Sequence, residues 1–96
     1  MPRNQKLTKV IAGRTVKAAT DEPGAVLLLF DDESRMKIKT AVTAAISPGG
    51  KVKGVQEDEA ELKIEFDDGS SATFELEDPG ASVAVRDKND SVEYLG

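Results

Sequence analysis

The sequence repeats itself over a shift of 36 positions, and this duplication limits the fold more than any other feature. Copy one is about residues 5–40 and copy two about residues 41–76, and they align without a gap. The Phe-Asp-Asp run at 30–32, for example, falls on the same run at 66–68. Two copies are too few for a solenoid. The alternative is chance similarity between two β-hairpins, which share turn residues; we favour a duplicated unit that closes one core.

Each copy is predicted to form three antiparallel strands joined by short loops. In copy two, Leu62, Ile64 and Phe66 alternate with charged residues, which is typical of a strand with one buried face. Strands that follow each other through short loops pair antiparallel. The predicted strands are residues 15–20, 25–30 and 35–40 in copy one, 52–57, 62–66 and 72–76 in copy two, and 82–86 and 91–95 in a C-terminal hairpin spanning 82–95.

A short helical turn is predicted ahead of each copy. Leu7, Val10 and Ile11 are spaced i, i+3, i+4, which places three apolar side chains on one face of a helical turn. Val42, Ala45 and Ile46 repeat that spacing before a Pro-Gly-Gly stop. The second segment also alternates as a strand would, so both interpretations stay open there.

These elements predict a single all-β domain over residues 1–96. It is a small antiparallel barrel or sandwich, built from the duplicated three-strand unit plus the C-terminal hairpin, with one or two short helical turns. A chain of 96 residues has the length of one domain. The pattern alone does not separate a closed barrel from a sandwich.

The three hairpin loops share acidic residues and differ at their fourth position. That position holds Glu33, Gly69 and Asn89. Gly and Asn tolerate the left-handed backbone region, whereas Glu rarely adopts it. We therefore expect either a different loop geometry at Glu33 or strain of about 1 kcal/mol.

The composition removes most catalytic chemistry. The chain has no Cys and no His. Catalysis by a thiol or an imidazole is therefore excluded, and so is metal binding through thiolate or imidazole ligands. Paired carboxylates at 31–32 and 67–68 fit turn formation better than acid–base catalysis, and their spacing matches no dedicated calcium loop. The run at 49–51, Gly-Gly-Lys, lacks the spacing of a phosphate-binding loop. We expect no enzyme, no catalytic residues, no cofactor and no metal site.

Nothing near the N-terminus predicts targeting or membrane insertion. The basic residues there are not followed by a long apolar stretch. We therefore expect neither a signal peptide nor a membrane span, and a cytoplasmic location by default.

Charge is divided unevenly along the chain, although the net charge is only −5. Residues 1–56 hold 10 Lys and Arg against 5 Asp and Glu, whereas residues 57–96 hold 3 against 13. A basic segment can bind nucleic acid, but we expect no exposed aromatics for base stacking and the acidic half would repel phosphate, so nucleic acid is disfavoured. We expect an intramolecular or intersubunit charge match instead. The candidate anion or partner contacts are Arg3, Lys6, Lys9, Arg14 and Lys17.

One predicted strand is apolar on both faces. Residues 25–30 carry Leu27 and Leu29 where copy two has Lys63 and Glu65. A strand buried on both faces reads as a continuous apolar run, and exposing two Leu side chains forgoes about 1.5–3 kcal/mol each. Leu27 and Leu29 are therefore the candidate interface. Their cover is either a segment of the same chain, near the first helical turn or residues 41–46, or a second molecule.

The sequence is similar to short bacterial all-β proteins that carry no assigned activity. The similarity lies in the Gly-Arg-Thr-Val run at 13–16, the strand at 25–30, and the matching stretches at 50–55 and 66–70. This resemblance implies an antiparallel β fold and no particular chemistry.

The preferred function is a non-catalytic protein-interaction or self-association domain of a small soluble bacterial protein, with a homodimer or a protein partner. One alternative is a small-ligand binder at a barrel mouth, with Tyr94 as the candidate ligand contact. The other is a weak nucleic-acid binder that uses the basic N-terminal half.

Overall fold

A computed structural model describes residues 2–40, 46, 48–77 and 82–96. Two antiparallel sheets face each other across one core as a sandwich and do not close into a barrel. The elements are α1 (Gln5–Ile11), β1 (Val16–Glu22), β2 (Ala25–Phe30), β3 (Arg35–Lys39), β4 (Val52–Glu57), β5 (Glu61–Phe66), β6 (Ser71–Glu75), β7 (Val83–Arg86) and β8 (Val92–Leu95).

The larger sheet has the strand order β1-β2-β3-β7-β8, and the smaller sheet has the order β4-β5-β6. Each copy therefore supplies a three-stranded antiparallel meander, and the C-terminal hairpin extends only the meander of copy one. The predicted all-β architecture is confirmed, and the sandwich is the form that it takes.

The two copies are related by reciprocal hydrogen bonds at one end of the sandwich. The backbone amide of Val16 donates to the carbonyl of Gly50 at 2.9 Å, and that of Val52 donates to the carbonyl of Arg14 at 2.9 Å. Val52 is the copy-two equivalent of Val16, and Gly50 is the copy-two equivalent of Arg14, so the two hydrogen bonds are exchanged by the shift of 36. β1 and β4 also carry a bulge at the same repeat position, after Val16 and after Val52.

Two isolated bridges hold the sheets together at opposite ends. One joins Thr15 to Lys51 and the other joins Thr40 to Leu76, and each joins the two copies of a single position. The sandwich is therefore organised about an approximate two-fold axis between the copies.

The core takes its apolar side chains from both sheets and from α1. The helix begins at Asn4, whose side chain accepts a hydrogen bond from the Leu7 amide at 3.0 Å, as an N-cap residue does. Leu7 and Ile11 are fully buried, and Val10 packs against the core, so the first predicted helical turn is confirmed.

The second predicted turn falls mostly on residues that the structure does not describe. Val42 and Ala45 lie outside the described residues. Ile46 is described, and it is half-buried against the core.

The loops of copies one and two have the same backbone. Glu33 has a φ of 71° and Gly69 has a φ of 87°. Their amides donate to the carbonyls of Phe30 and Phe66, at 3.0 and 3.1 Å. A turn followed by a left-handed residue is a common three-residue hairpin loop. Glu33 thus has a backbone conformation that suits glycine. The first loop does not differ in geometry, so the alternative that applies is backbone strain at Glu33.

The third loop corrects the expectation for Asn89. The left-handed residue is Asp90, with a φ of 67°, and not Asn89. The reason is that this loop starts one residue later: Asp87 makes the backbone hydrogen bonds that Phe30 makes in the first loop.

Exchanging the residues at the two twin loop positions tests this strain. Glu33→Gly is expected to be neutral or to raise the free energy of unfolding by up to about 1 kcal/mol, because it removes the Cβ clash of a left-handed residue. Gly69→Glu, the matched change in copy two, should lower it by a similar amount. Urea unfolding measures both. A clear loss of stability in Glu33→Gly would show that the Glu33 side chain stabilises its loop.

Candidate interaction surface

The face of the larger sheet that points away from the core, here called the outer face, carries large apolar side chains on β2 and on β8. Strand pairing places its residues in two rows that run across the sheet. The rows are Thr20–Leu27–Lys37–Ala84–Leu95 and Ala18–Leu29–Arg35–Arg86–Val92.

The structure places both sequence-predicted interface residues on this face. Leu27 and Leu29 are half-buried. Val92 and Leu95, at the ends of the two rows, are 48% and 67% exposed and are the large hydrophobic residues that stand out among those described. The outer face therefore has two apolar patches, Leu27 with Leu29 on β2 and Val92 with Leu95 on β8, and Arg35, Lys37 and Arg86 lie between them.

Charged side chains lie between and beside the two apolar patches, and several of them are paired with one another. Arg35 contacts Asp90 at 2.9 Å between Nη2 and Oδ1, and Lys37 Nζ lies 4.0 Å from Glu22 Oε2. A shallow cleft of about 230 Å³ lies over Leu27 and is bordered by these charges. The outer face thus presents both signs of charge around an apolar centre.

One of the two segments of this chain that could cover Leu27 and Leu29, the first helical turn, lies elsewhere. Helix α1 packs on β4 and β8, with Leu7 and Ile11 inside the core. Residues 41–45, which are part of the other candidate cover, lie outside the described residues. The assignment of Leu27 and Leu29 as an interface remains a prediction.

Arg14 links copy one to the C-terminal hairpin. Its guanidinium donates to both carboxylate oxygens of Glu93, at 3.0 and 2.7 Å, and to Ser34 Oγ at 2.9 Å. Its Nε also lies 3.4 Å from Asp32 Oδ2. The hydrogen bond to Glu93 is the main cause of a raised pKa for Arg14. For this residue, the expected match between the basic N-terminal segment and the acidic C-terminal half is observed.

The other basic candidates lie on other parts of the molecule. The Arg3 guanidinium lies over Gly54, so close that a Cβ at Gly54 would be 2.6 Å from its Nη1. Lys6 and Lys9 are exposed on α1, and Lys17 is exposed at the bulge of β1.

Tyr94 is half-buried against the core, and its hydroxyl is engaged. It accepts a hydrogen bond from Asn4 Nδ2 at 2.9 Å, while the same amide donates to Glu57 Oε1 at 2.7 Å. Tyr94 thereby fixes the start of α1 to β8. Its proposed contact with a small ligand stays a prediction.

The paired carboxylates take part in turns. Asp32 Oδ1 accepts from the Ser34 amide at 2.9 Å, and Asp68 Oδ1 accepts from the Ser70 amide at 2.8 Å. Both Ser hydroxyls also donate to these carboxylates. Burial acts to raise the pKa of Asp32, but the hydrogen bonds from Ser34 outweigh it and the pKa is lowered. The pKa of Asp68 is lowered by Ser70 in the same way.

Within the described part of the chain, no group of three or more acidic side chains is arranged to hold a metal ion. In that same part, no helix has the length and apolar character needed to cross a bilayer.

Sequence reasoning missed Val92 and Leu95. A regular strand over residues 91–95 would turn Val92 to the same side as Tyr94, which packs against the core. The pairing of β7 with β8 shifts after Val85, so that Val92 lies opposite Arg86 on the outer face. A bulge of this kind reverses the side on which residues lie and leaves little trace in the pattern of apolar residues.

Comparison of the sequence with protein-family models finds no match. Searches of curated proteins and of solved structures find no match either.

Proposed function

We propose that this chain is a non-catalytic domain that self-associates through the outer face of its larger sheet. One observation carries the proposal: the outer face groups half-buried Leu27 and Leu29 at its centre with the largely exposed Val92 and Leu95 at its β8 edge. Large apolar side chains that are exposed together on one face of a small domain indicate an interaction site.

A second copy of the chain suits this face better than a strongly charged partner does. A two-fold interface uses the same patch on both subunits, so the patch must complement itself. Arg35 and Lys37 on the outer face pair with Asp90 and Glu22, and Arg86 donates to the Asp90 carbonyl, so the side chains around the cleft carry an excess of one positive charge. An excess this small allows two copies to meet, and the apolar side chains of the face would then be buried between them.

The absence of His and Cys supports a non-catalytic role. General acid–base and nucleophilic catalysis would have to rely on carboxylates, Lys, Ser, Thr or Tyr94. Asp32 and Asp68 are held in turns by the Ser residues that follow them, and Tyr94 is held by Asn4.

The test is a double substitution, Leu27→Asp with Leu29→Lys. We expect the mass measured by light scattering to fall from dimer to monomer while the circular dichroism spectrum keeps its β signal, because charged side chains cannot be buried unpaired at an interface. The matched control introduces the same two residues at the copy-two equivalents, Lys63→Asp with Glu65→Lys. This control alters polar positions on the other sheet and should leave the mass unchanged.

Leu95→Asp keeps the test decisive if the double variant unfolds. Leu95 is 67% exposed, so its replacement should leave the core intact and still weaken the dimer. A wild-type chain that stays monomeric from micromolar to millimolar concentration would contradict self-association. A dimer that Leu95→Asp leaves unchanged would contradict this face as its interface.

A further inference from the structure

The two apolar patches of the outer face lie at equal distances from its centre. Leu27 and Leu29 lie on β2, and Val92 and Leu95 lie on β8. In the sheet order, β3 and β7 separate β2 from β8, so the boundary between β3 and β7 lies midway between the patches. We infer, on the basis of the proposed self-association, that each patch docks on the other patch of a second copy, with Leu95 entering the cleft over Leu27.

A two-fold axis parallel to the strands, over the boundary between β3 and β7, produces this docking. When two outer faces meet about such an axis, β2 lies against β8 of the second copy, and each row keeps its level along the strands. Leu27 then meets Leu95 in one row, and Leu29 meets Val92 in the other. Within one chain the patches are three strand spacings, about 14 Å, apart, so neither can cover the other without a second copy.

The shapes of the two patches are complementary. Leu27 and Leu29 are half-buried, and the cleft of about 230 Å³ lies over Leu27. Val92 and Leu95 are 48% and 67% exposed, so their side chains project from the sheet. Docking one patch on the other places projecting side chains against recessed ones, which gives the close packing found at the centre of stable interfaces.

The cleft has room for the side chain of a leucine. Leu27 and Ala84 give it an apolar lining. Its volume of about 230 Å³ is that of several water molecules, each of which takes about 30 Å³ in the liquid. Displacing poorly ordered water with an apolar group raises affinity, and Leu95 of a second copy supplies such a group.

The cations between the patches are compatible with this docking. Lys37 meets Ala84 of the second copy, whose small side chain leaves the ammonium group a path to solvent. Arg35 meets Arg86 of the second copy, which is unfavourable for two like charges. In each chain, however, Arg35 donates to Asp90 Oδ1 at 2.9 Å and Arg86 donates to the Asp90 carbonyl at 3.0 Å. Asp90 therefore lies beside both arginines and reduces the repulsion between the copies.

A two-fold axis that runs across the strands, between the two rows, suits the face less well. It would place Leu27 on Leu29 of the second copy, and Val92 on Leu95. Recessed side chains would then meet recessed ones on β2, and projecting side chains would meet projecting ones on β8. One pair of patches would leave a gap while the other held the sheets apart.

Isotope-filtered NMR of the wild-type chain tests the contacts. In a mixture of labelled and unlabelled chains, nuclear Overhauser effects between chains should join the methyl groups of Leu27 to those of Leu95, and Leu29 to Val92. Within a chain these pairs are about 14 Å apart, too far to give such effects. Effects between chains that join Leu27 to Leu29, or Leu95 to its own equivalent, would overturn the proposal.

Charge substitutions test the same contacts by light scattering. Leu27→Asp alone and Leu95→Lys alone should each weaken the dimer at least about tenfold, the ratio that 1.4 kcal/mol gives. Leu27→Asp with Leu95→Lys should dimerise at least about tenfold more tightly than Leu27→Asp alone, because each Asp meets a Lys of the second copy. The reversed pair, Leu27→Lys with Leu95→Asp, should recover in the same way. The matched control, Leu27→Asp with Leu95→Asp, should not recover.

The two proposals fail in different ways. A wild-type dimer whose opposite-charge and like-charge variants associate equally would overturn this docking and leave self-association through the outer face standing. A wild-type chain that is monomeric at every concentration would contradict both. If Leu27→Asp does not fold, the contacts between wild-type chains decide.

Discussion

Phe30→Ala is expected to lower the free energy of unfolding by about 3–5 kcal/mol, among the largest effects of any single substitution in this chain. The Phe30 side chain is fully buried in the core cluster. Its removal loses the transfer free energy of the ring and leaves a cavity that the two packed sheets cannot close. Since small domains are stable by about 5–15 kcal/mol, the variant is expected to be close to unfolding.

The twin substitution, Phe66→Ala, is the matched comparison and should cost less, about 2–3 kcal/mol. Phe66 occupies the same repeat position but borders the open groove beside Gly50. Part of the space left by its ring would join that groove and take up water, so less of it remains an empty cavity. Urea unfolding of both variants gives the comparison. Equal losses, or a larger loss for Phe66→Ala, would show that the groove does not relax the packing of copy two.

The duplication explains why the meanders could be predicted from the sequence. The alternation of apolar and charged residues in copy two fixed which side of β5 is buried, with Leu62 and Ile64 inside, and the shift of 36 carried that assignment to Val26 and Leu28 in copy one. Apolar periodicity is a local signal, and each strand here is long enough to show it.

The arrangement of the sheets could not be predicted in that way. Nothing in the local pattern states that β7 pairs with β3 rather than with β6, because that choice depends on contacts between residues distant in sequence. A residue that differs between the two places and contacts the hairpin is Arg14, which is Gly50 in copy two. Its role appears only when Glu93 is seen beside it. The candidate site was likewise predicted in part, as Leu27 and Leu29 without Val92 and Leu95.

Arg14→Ala is expected to lower the free energy of unfolding by about 1–3 kcal/mol. The Arg14 side chain is only 18% exposed, and it donates to Glu93 through two hydrogen bonds and to Ser34 through a third. Its loss leaves the Glu93 carboxylate without these donors and leaves Ser34, which is 2% exposed, without one of its partners. Hydrogen exchange of the β8 amides should quicken more than that of the β2 amides, since Arg14 ties β8 to copy one.

Arg35→Ala is the control, because it breaks an arginine–aspartate pair of similar length in which the side chains of Arg35 and Asp90 are 42% and 67% exposed. An exposed pair contributes about 0–1 kcal/mol, so this variant should unfold close to the wild type. Arg14→Lys should fall between the two alanine variants, since Lys keeps the charge and loses the paired geometry toward Glu93. Equal stabilities for Arg14→Ala and Arg35→Ala would mean that the hairpin is held by strand pairing and by Val83 and Val85 alone. The absence of an arginine at Gly50 would then no longer explain why copy two holds no hairpin.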